Sequence, residues 1–313
     1  MARVAWGLED VAPAPSVVTI GFFDGVHRGH QTLIRRAVRE AEDRGLRSVA
    51  VTFDRHPAEV VRPGSQPRYL QHRDRKVAAL VDQGVDLVLV LAFDLERSQQ
   101  PPDDFIATVL AGPLQARKVI VGTNFRFGHK AAGDVVLLSD QGAALGYDTE
   151  AMGLLHLGDT PISSTEIRSH LEAGDVAWAA EALGRPFVVE GAVVRGEGRG
   201  RTIGIPTANV EVDERLQVPA GGVYAATASV VGMPDQHPAV VNIGTRPTFG
   251  GETVTVEAHL LDVELDLYGT RLALSFVDRL RDERRFDGPD DLVAQISRDI
   301  AAARVRLAGT GGP

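Results

Sequence analysis

The sequence predicts two structurally different halves, an α/β half followed by an all-β half. Up to about residue 185, short apolar runs alternate with segments of helical periodicity, which is typical of a doubly wound, mostly parallel sheet with helices on both faces. From about Pro186, runs of alternating polarity are separated by Gly, Pro and Asp turns, which favours a small antiparallel sheet or barrel. A chain of 313 residues can hold two cores, so we expect domains at 1–185 and 186–313.

Composition excludes several classes of function. The sequence has no cysteine, and therefore no disulfide, thiolate metal site or cysteine nucleophile. Its formal net charge of −9 argues against nonspecific nucleic-acid binding, which requires a basic surface. No apolar run reaches the ~20 residues that span a bilayer, and no secretory signal is visible. We expect a cytoplasmic protein with no nucleic-acid or membrane partner, and the sequence leaves a homo-oligomer open.

Apolar patterns place the elements of the first half. Strands are predicted at 17–20, 48–53, 86–93, 118–121 and 149–152, and helices at 28–45, 73–83, 135–145 and from Pro102. Ligands of such sheets bind beyond the carboxyl ends of the strands. Polar segments follow three of these strands, at 21–30, 54–57 and 122–128. We therefore expect a ligand site at this edge of the sheet.

Alternating patterns place the elements of the second half. Strands are predicted at 188–194, 222–231, 239–243, 254–263 and 271–277. Apolar residues at Leu292, Ile296, Ile300 and Ala303 recur at helical spacing and predict one amphipathic closing helix. The boundary between the halves falls near 183–186, L-G-R-P, where a helix stops and proline hinders its continuation.

Residues 17–34 carry the most informative pattern, V-V-T-I-G-F-F-D-G-V-H-R-G-H-Q-T-L-I. A buried strand, a turn at Gly21 and a helix start near Arg28 follow one another, so unpaired amides and the positive end of the helix dipole face a ligand. His27 and His30 lie three residues apart across the first turn of that helix. The pattern predicts a phosphate site with two imidazoles. The alternative is a helix start with two solvent-exposed histidines.

Three more polar clusters are predicted in the first half, and the least specific, residues 53–57, F-D-R-H-P, also fits a purely structural turn. The loop at 122–128 offers the amide of Asn124 and the rings of Phe125 and Phe127. Aromatic faces at the binding edge favour a flat ligand, and loop packing is the alternative. Residues 162–168, I-S-S-T-E-I-R, offer three hydroxyls before a helix and an arginine one turn later. This run also fits an ordinary helix-capping sequence.

The second half contains three candidate site segments. Residues 195–201, R-G-E-G-R-G-R, combine glycine with arginine, which pairs well with phosphate oxygens, and a surface turn is the alternative. Thr207 and Asn209 lie two apart, so on one strand they would offer two neutral oxygens to Mg²⁺ from the same face. Their alternative role is a hydrogen-bonded pair. Glu257 lies mid-strand, where a carboxylate is either a general base or simply solvated.

The first half resembles the adenylyltransferase half of the bifunctional bacterial riboflavin kinase/FAD synthetases. The matching segments are G-F-F-D-G-V-H-R-G-H, T-F-D-R-H-P, G-T-N-F-R-F-G-H-K-A-A-G and I-S-S-T-E-I-R, the first with the H-x-G-H signature of nucleotidylyl transferases. The resemblance implies a Rossmann-like nucleotidylyl transferase domain in which His27, His30 and Arg168 are catalytic. It implies ATP and phosphate contacts at Gly21, Phe22, Asp24, Gly29, Ser163, Ser164 and Thr165, and flavin contacts at Asn124, Phe125 and Phe127.

The second half resembles the riboflavin kinase module of the same family, a six-stranded antiparallel β-barrel with a closing helix. The matching segments are G-R-G-R-T-I-G-I-P-T-A-N, P-A-G-G-V-Y-A, V-N-I-G-T-R-P-T-F, V-E-A-H-L-L-D and L-Y-G. The resemblance implies that Thr207 and Asn209 coordinate Mg²⁺–ATP and that Glu257 is the base for the ribityl 5′-hydroxyl. It also implies ATP contacts at Gly198, Arg199, Gly200 and Arg201, and a loop near the kinase site with Asn242, Thr245 and Arg246.

Together the two resemblances imply a bifunctional enzyme. Such an enzyme phosphorylates riboflavin with ATP to FMN, then joins AMP from a second ATP to FMN, giving FAD and pyrophosphate. Three residues, Phe22, Asn124 and Gly221, depart from the common family pattern, but neither Phe22 nor Asn124 replaces a phosphate-binding group. The alternatives are a chain with only one live activity and a non-catalytic flavin-binding carrier. The presence of both sets of site residues argues against them.

Overall fold

The computed structural model describes residues 3–196, 204–248, 251–263 and 265–309, with only the backbone of 246–248 and 251–252. The predicted ATP contacts at 198–201 therefore lie outside the described residues. The chain divides into two compact units, residues 1–164 and 165–313. In this division the helical segment 165–183 groups with the second unit, whereas the sequence predicts a domain boundary at 185/186.

The first unit contains a parallel sheet of six strands. They are β1 (Arg3–Ala5), β2 (Ser16–Ile20), β3 (Arg47–Phe53), β4 (Leu87–Leu91), β5 (Ala116–Gly122) and β6 (Asp148–Met152). The strand order is β1–β4–β3–β2–β5–β6, and all neighbours are parallel. The five strands predicted from the sequence are present, with small shifts at their ends. The sixth, β1, is too short for a recognisable pattern, and its pairing with β4 makes it an edge strand.

Helices cover both faces of this sheet. They are α1 (Arg28–Arg44), α2 (Pro57–Val61), α3 (Arg73–Val81), α4 (Leu95–Gln99), α5 (Pro102–Phe105) and α6 (Val135–Leu145), with a π-helical segment at Ile106–Ala111 and 3₁₀ turns at Leu8–Asp10, Asp24–Val26 and His129–Ala131. One apolar cluster joins Val17 and its face of the sheet to α1 and α3. The other joins Val18 and the opposite face to residues 105–114 and α6. The sheet is therefore doubly wound, as predicted.

The sheet has its topological switch point at β2. This strand pairs with β3 on one side and with β5 on the other. Because the chain moves outward from β2 in opposite directions, the loops that follow β2 and β5 diverge and leave a crevice at the carboxyl ends of the strands. The predicted polar segments 21–30 and 122–128 both begin at this crevice. A short antiparallel ribbon, β7 (His156–Leu157) and β8 (Thr160–Pro161), follows β6.

The second unit contains a closed antiparallel barrel. After α7 (Ser164–Glu172) and α8 (Val176–Leu183), its strands are β9 (Phe187–Val194), β10 (Ala208–Val212), β11 (Gly222–Val230), β12 (His237–Thr248), β13 (Gly251–Leu260) and β14 (Arg271–Arg281). The order is β10–β13–β12–β11–β14–β9, and β9 closes the ring onto β10. The last helix, α9 (Pro289–Ala308), packs Ala303 and Leu307 against Val223, Ala225 and Val240 of the barrel. The predicted six-stranded barrel with a closing helix is confirmed.

Candidate active sites

The turn between β2 and α1 has a strained backbone that presents two histidines. Phe23, Gly25 and Val26 have positive φ angles of 56°, 78° and 40°, and a branched residue such as Val26 adopts this region only when its surroundings enforce it. Val26 is fully buried. His27 is the N-cap of α1, and its Nδ1 accepts a hydrogen bond from the backbone N–H of His30 at 3.3 Å. The turn therefore determines the direction of the first imidazole.

The imidazoles of His27 and His30 form a stacked pair, with ring centroids 3.6 Å apart and planes inclined by 20°. Burial lowers the pKa of His30 well below its ordinary value, and the charges of His27 and Lys76 lower it further, so His30 is neutral near pH 7. In neutral His27 the acceptor role of Nδ1 leaves the proton on Nε2. Within the described part of the chain, the buried Nδ1 of His30 has no hydrogen-bond partner. The pair can thus donate hydrogen bonds to a phosphate together with the first amides of α1.

Other predicted residues lie at the same turn. A Cβ on Gly29 would lie 3.2 Å from the His27 ring, so glycine leaves room for the imidazole. The Asp24 carboxylate accepts from the backbone N–H of Leu70 at 3.1 Å, which anchors the loop before α3. The carbonyl oxygen of Asp24 accepts from Ser164 Oγ at 2.9 Å. The structure therefore brings the histidines, Gly29, Asp24 and Ser164 together.

Four further residues of the predicted phosphate site are Gly21, Ser163, Thr165 and Arg168. A Cβ on Gly21 would contact the ring of Phe23 at 2.8 Å, so this glycine serves the turn itself. Ser163 is half-buried next to Ser164. Thr165 and Arg168 belong to the second unit, and their roles stay predictions.

Phe22, one of the departures from the family pattern, packs beneath the turn. Its ring meets that of His56 edge-on with centroids 5.0 Å apart, and Lys76 Nζ lies 4.0 Å from its centroid. Its carbonyl oxygen accepts from Thr52 Oγ1 at 3.0 Å. No motif in the sequence singles out Lys76, because its burial becomes visible only in the tertiary structure. The aromatic ring at position 22 is thus accommodated by contacts with His56 and Lys76.

A pocket of about 720 Å³ lies at the same edge of the sheet. Its aromatic wall is formed by the rings of Phe53, Phe93, Phe105, Phe125 and Phe127. Phe125 stacks on Phe127 with centroids 5.4 Å apart and planes inclined by 12°, and Phe53 meets Phe93 edge-on at 5.6 Å. The volume and the flat walls are suited to a planar aromatic ligand.

The lining of this pocket is only partly predicted by sequence. Phe125 and Phe127 line it as expected, and Arg62, Arg126 and Lys130 add positive charge. Asn124 is exposed and is not one of the residues that line the pocket. The other rings come from segments distant in sequence, and an isolated phenylalanine carries no signal of such a meeting.

On the barrel, Asn209, Glu257 and Asn242 form one row across three strands. Asn209 of β10 is opposite Glu257 of β13, and Glu257 is opposite Asn242 of β12. Directly opposed side chains on one face have Cβ atoms about 5 Å apart. These three residues are half-buried, whereas Val256 and Ala258, on the other face of β13, are buried. The predicted alternation along this strand is confirmed, and the register places the carboxylate between two amides.

Thr207 lies one residue before β10, so strand alternation does not determine its direction, contrary to the sequence expectation. The carbonyl oxygen of the preceding Pro206 lies 2.8 Å from His259 Nδ1, which anchors this segment to β13. Gly196 crosses directly against Asn209, since a Cβ at Gly196 would overlap the Asn209 amide. The start of the glycine-rich segment therefore contacts the predicted amide ligand.

Asn242, Thr245 and Arg246, for which the family resemblance implies a loop, lie instead on β12, because the pairing of this strand with β13 extends to Thr248. Thr245 is exposed on β12, and only the backbone of Arg246 is described. Gly221 replaces the usual aspartate, and its carbonyl oxygen accepts from Arg279 Nη2 at 2.6 Å. The segment that contains Gly221 is thus anchored to β14 through its backbone.

The polar row on the barrel offers few ligands to a metal ion. Among the described residues, no group of three His, Cys, Asp or Glu side chains could hold a metal ion. Mg²⁺ that arrives with ATP takes most of its oxygen ligands from phosphate and water. Thr207 and Asn209 offer neutral oxygens, and the Glu257 carboxylate neighbours Asn209, so the donor set fits Mg²⁺.

None of the helices within the described ranges is long and apolar enough to cross a membrane.

Comparison with known families assigns each half. The family model for FAD synthetase matches residues 10–166, and the model for riboflavin kinase matches residues 183–307. The bifunctional riboflavin kinase/FMN adenylyltransferase of Escherichia coli (strain K12) is 39% identical over 302 residues, covering 95% of this chain and 96% of that protein. The protein of the same name from Bacillus subtilis (strain 168) is 35% identical over 290 residues, covering 91% and 90%.

A solved structure supports the fold over nearly the whole chain. It is described as a macrolide-efflux protein from Streptococcus pneumoniae, and it shares a TM-score of 0.87 and 29% identity over 97% of this chain and 98% of its own. The two family matches, the full-length relatives and the two clusters of site residues agree with one another. The chain therefore belongs to the family of bifunctional riboflavin kinase/FMN adenylyltransferases.

Proposed function

We propose that the two reactions of the family use the two clusters described above. As a member of this family, the chain phosphorylates riboflavin with ATP to FMN and adenylylates FMN with a second ATP to FAD. Residues 1–185 act as the adenylyltransferase domain and residues 186–313 as the riboflavin kinase domain. We also propose a cytoplasmic location, where ATP and riboflavin are available.

FMN adenylylation takes place at the crevice beyond β2 and β5. An oxygen of the FMN phosphate attacks the α-phosphorus of ATP, and the bond to the β-phosphate breaks to release pyrophosphate. His27, His30 and the first amides of α1 stabilise the charge that develops on the α-phosphate. The observation that supports this role most strongly is the stacked pair of imidazoles at a helix N-terminus, of which His30 has a buried nitrogen with no hydrogen-bond partner among the described residues. Gly21, Phe22, Asp24 and Gly29 shape this turn.

The isoalloxazine ring of FMN occupies the phenylalanine-lined pocket. Phe125 and Phe127 stack against the flavin, and the cationic lining attracts its phosphate. Asn124 lies in the same loop and contacts the flavin or its phosphate. Ser163, Ser164, Thr165 and Arg168 hold phosphates during transfer.

Riboflavin phosphorylation takes place beside the row of polar residues on the barrel. Glu257 accepts the proton of the ribityl 5′-hydroxyl, whose oxygen attacks the γ-phosphorus of ATP while ADP leaves. Thr207 and Asn209 would hold Mg²⁺, which would neutralise charge on the phosphates when bound. Asn242, Thr245 and Arg246 of β12 and the ATP contacts Gly198, Arg199, Gly200 and Arg201 complete this site.

The two sites are tested by separating the two reactions. A chromatographic time course with riboflavin, ATP and Mg²⁺ should show FMN first and FAD later. Glu257→Ala should abolish FMN formation while FAD formation from added FMN continues, because the carboxylate belongs only to the kinase site. His30→Ala should accumulate FMN. If either substitution in a folded protein stops both reactions, or neither, the assignment of separate sites is wrong.

A further inference from the structure

Lys76 is a buried cation beside the turn that carries His27 and His30. The residue is 3% exposed on the apolar side of α3, next to Val77 and Leu80. Its Nζ donates a hydrogen bond to the carbonyl oxygen of Phe53 at 2.8 Å. The same atom lies 4.0 Å from the ring centroid of Phe22. One ammonium group therefore touches both the last residue of β3 and the loop that follows β2.

The charged groups around Lys76 come from every neighbouring segment. Asp24 of the β2 loop and Asp54 after β3 favour the charged form, whereas Arg73 on α3 opposes it. The charge of Lys76 in turn lowers the pKa of His30. His56 and Tyr69 contact the other sides of the Phe22 ring, with centroids 5.0 and 5.9 Å away. Lys76 thus connects the electrostatics of the histidine pair to the packing of the turn.

Burial of this ammonium is unfavourable for folding. Burial lowers the pKa of Lys76 to about 8, although Asp24 and Asp54 raise it, from an ordinary value of 10.5. Since the folded pKa is the lower one, the charged form is less stable in the folded chain, and this penalty is largest below about pH 8. An apolar side chain of similar size would avoid the penalty. A cation kept at such a position is typical of functional sites.

We propose that Lys76 is a positioning residue of the adenylyltransferase reaction. Its ammonium ties the loop at Phe22 to the end of β3 and thereby holds the turn that carries His27 and His30. This inference depends on the location of the adenylyltransferase site at His27 and His30. It assigns the residue no contact with substrate.

The proposal predicts a pH dependence for one reaction only. As the pH rises through about 8, Lys76 loses its proton, and with it the cation–π attraction that holds the Phe22 ring and the turn. FAD formation should therefore decline on the alkaline side, while riboflavin phosphorylation by the same chain should keep its own profile. The kinase reaction serves as an internal control for unfolding.

The test compares Lys76→Arg, Lys76→Met and Lys118→Met in the full chain. Lys118 is the matched control because it is another buried lysine of the same sheet, with a side chain 12% exposed, but it pairs with Glu40 and Glu150 at 3.2 and 2.6 Å. The measurements are kcat and KM for FAD formation from FMN and ATP across pH 6.5 to 9.5, FMN formation as control, and urea unfolding.

Lys76→Met should reduce kcat for FAD formation about tenfold to a hundredfold near neutral pH, with a small change in KM, and should remove the alkaline decline. Lys76→Arg should restore most of kcat and shift the decline upward, because arginine stays charged. Lys118→Met should lower stability but preserve the decline.

Three results would overturn the proposal for Lys76. They are a wild-type kcat and alkaline decline in Lys76→Met, an unshifted decline in Lys76→Arg, and a loss of the decline in Lys118→Met. If Lys76→Met does not fold, the profile of Lys76→Arg decides. The His30→Ala variant distinguishes an error in the location of the site from an error in the role of Lys76. Intact FAD formation in His30→Ala refutes the site itself, whereas its loss with normal Lys76 variants refutes only the role of Lys76.

Discussion

Replacement of Gly29 by alanine should separate folding stability from FAD formation. Gly29 lies in the first turn of α1, where a Cβ would lie 3.2 Å from Cε1 and Nδ1 of His27 and 3.6 Å from the carbonyl oxygen of Ile162. The contacts with the imidazole are tight enough that the ring must move by a few tenths of an ångström. Because His30 stacks on His27, the displacement reaches both rings.

The two effects of this substitution differ in size. Alanine is more favourable than glycine in a helix by about 1 kcal/mol, and the close contact with His27 offsets part of that gain. The free energy of unfolding should therefore change by less than about 1 kcal/mol. A misplacement of about 1 Å in an active site reduces the rate about a hundredfold. A shift of a few tenths of an ångström should then reduce kcat for FAD formation about fourfold to tenfold.

The assay follows conversion of FMN and ATP to FAD by chromatography, with urea unfolding of the same preparation. Riboflavin phosphorylation is the internal control, and Gly153→Ala is the matched substitution because a Cβ at Gly153 meets nothing within 4 Å. If Gly29→Ala forms FAD at the wild-type rate, the position of the His27 ring does not limit the reaction. An equal loss in Gly153→Ala, or in FMN formation, would also refute the reasoning.

Two more substitutions test one contact in each unit, the ion pairs of Glu40 and the approach of Gly196 to Asn209. Burial alone would raise the pKa of Glu40, but hydrogen bonds from Arg36 and Lys118 outweigh it and hold the pKa at about 2, below the ordinary 4.5. The ionised carboxylate therefore stabilises the fold above about pH 4.5. This stabilisation is lost as the pH falls towards 2. Glu40→Gln should lower the free energy of unfolding by about 2 kcal/mol near neutral pH and flatten its decline in acid, as measured by urea titration, and a wild-type slope would contradict this. Gly196→Ala should displace the Asn209 amide and reduce FMN formation about tenfold, while FAD formation from FMN persists. Equal rates of FMN formation in the variant and the wild type would show that this contact does not matter for the kinase reaction.

Much of the fold follows from local pattern alone. The apolar runs of β2 to β5 are long enough to show buried strands, and the alternation along β13 separates Val256 and Ala258 from Glu257. The H-x-G-H spacing places His27 and His30 on the first turn of a helix, because helix geometry is itself a local property. Short-range physics therefore determined the two classes of fold, the order of their elements and the position of the two histidines at the start of α1.

Tertiary contacts decided what local pattern does not encode. The three-residue β1 exists as an edge strand because it pairs with β4, and the φ of 40° at Val26 is enforced by its burial. The barrel register, set by whole strands, places Glu257 between Asn209 and Asn242. Lys76 reads as an ordinary helical lysine in sequence, yet packing of α3 against the sheet buries its ammonium. Burial, register and backbone strain depend on residues far apart in the chain, and for that reason only the folded structure could reveal them.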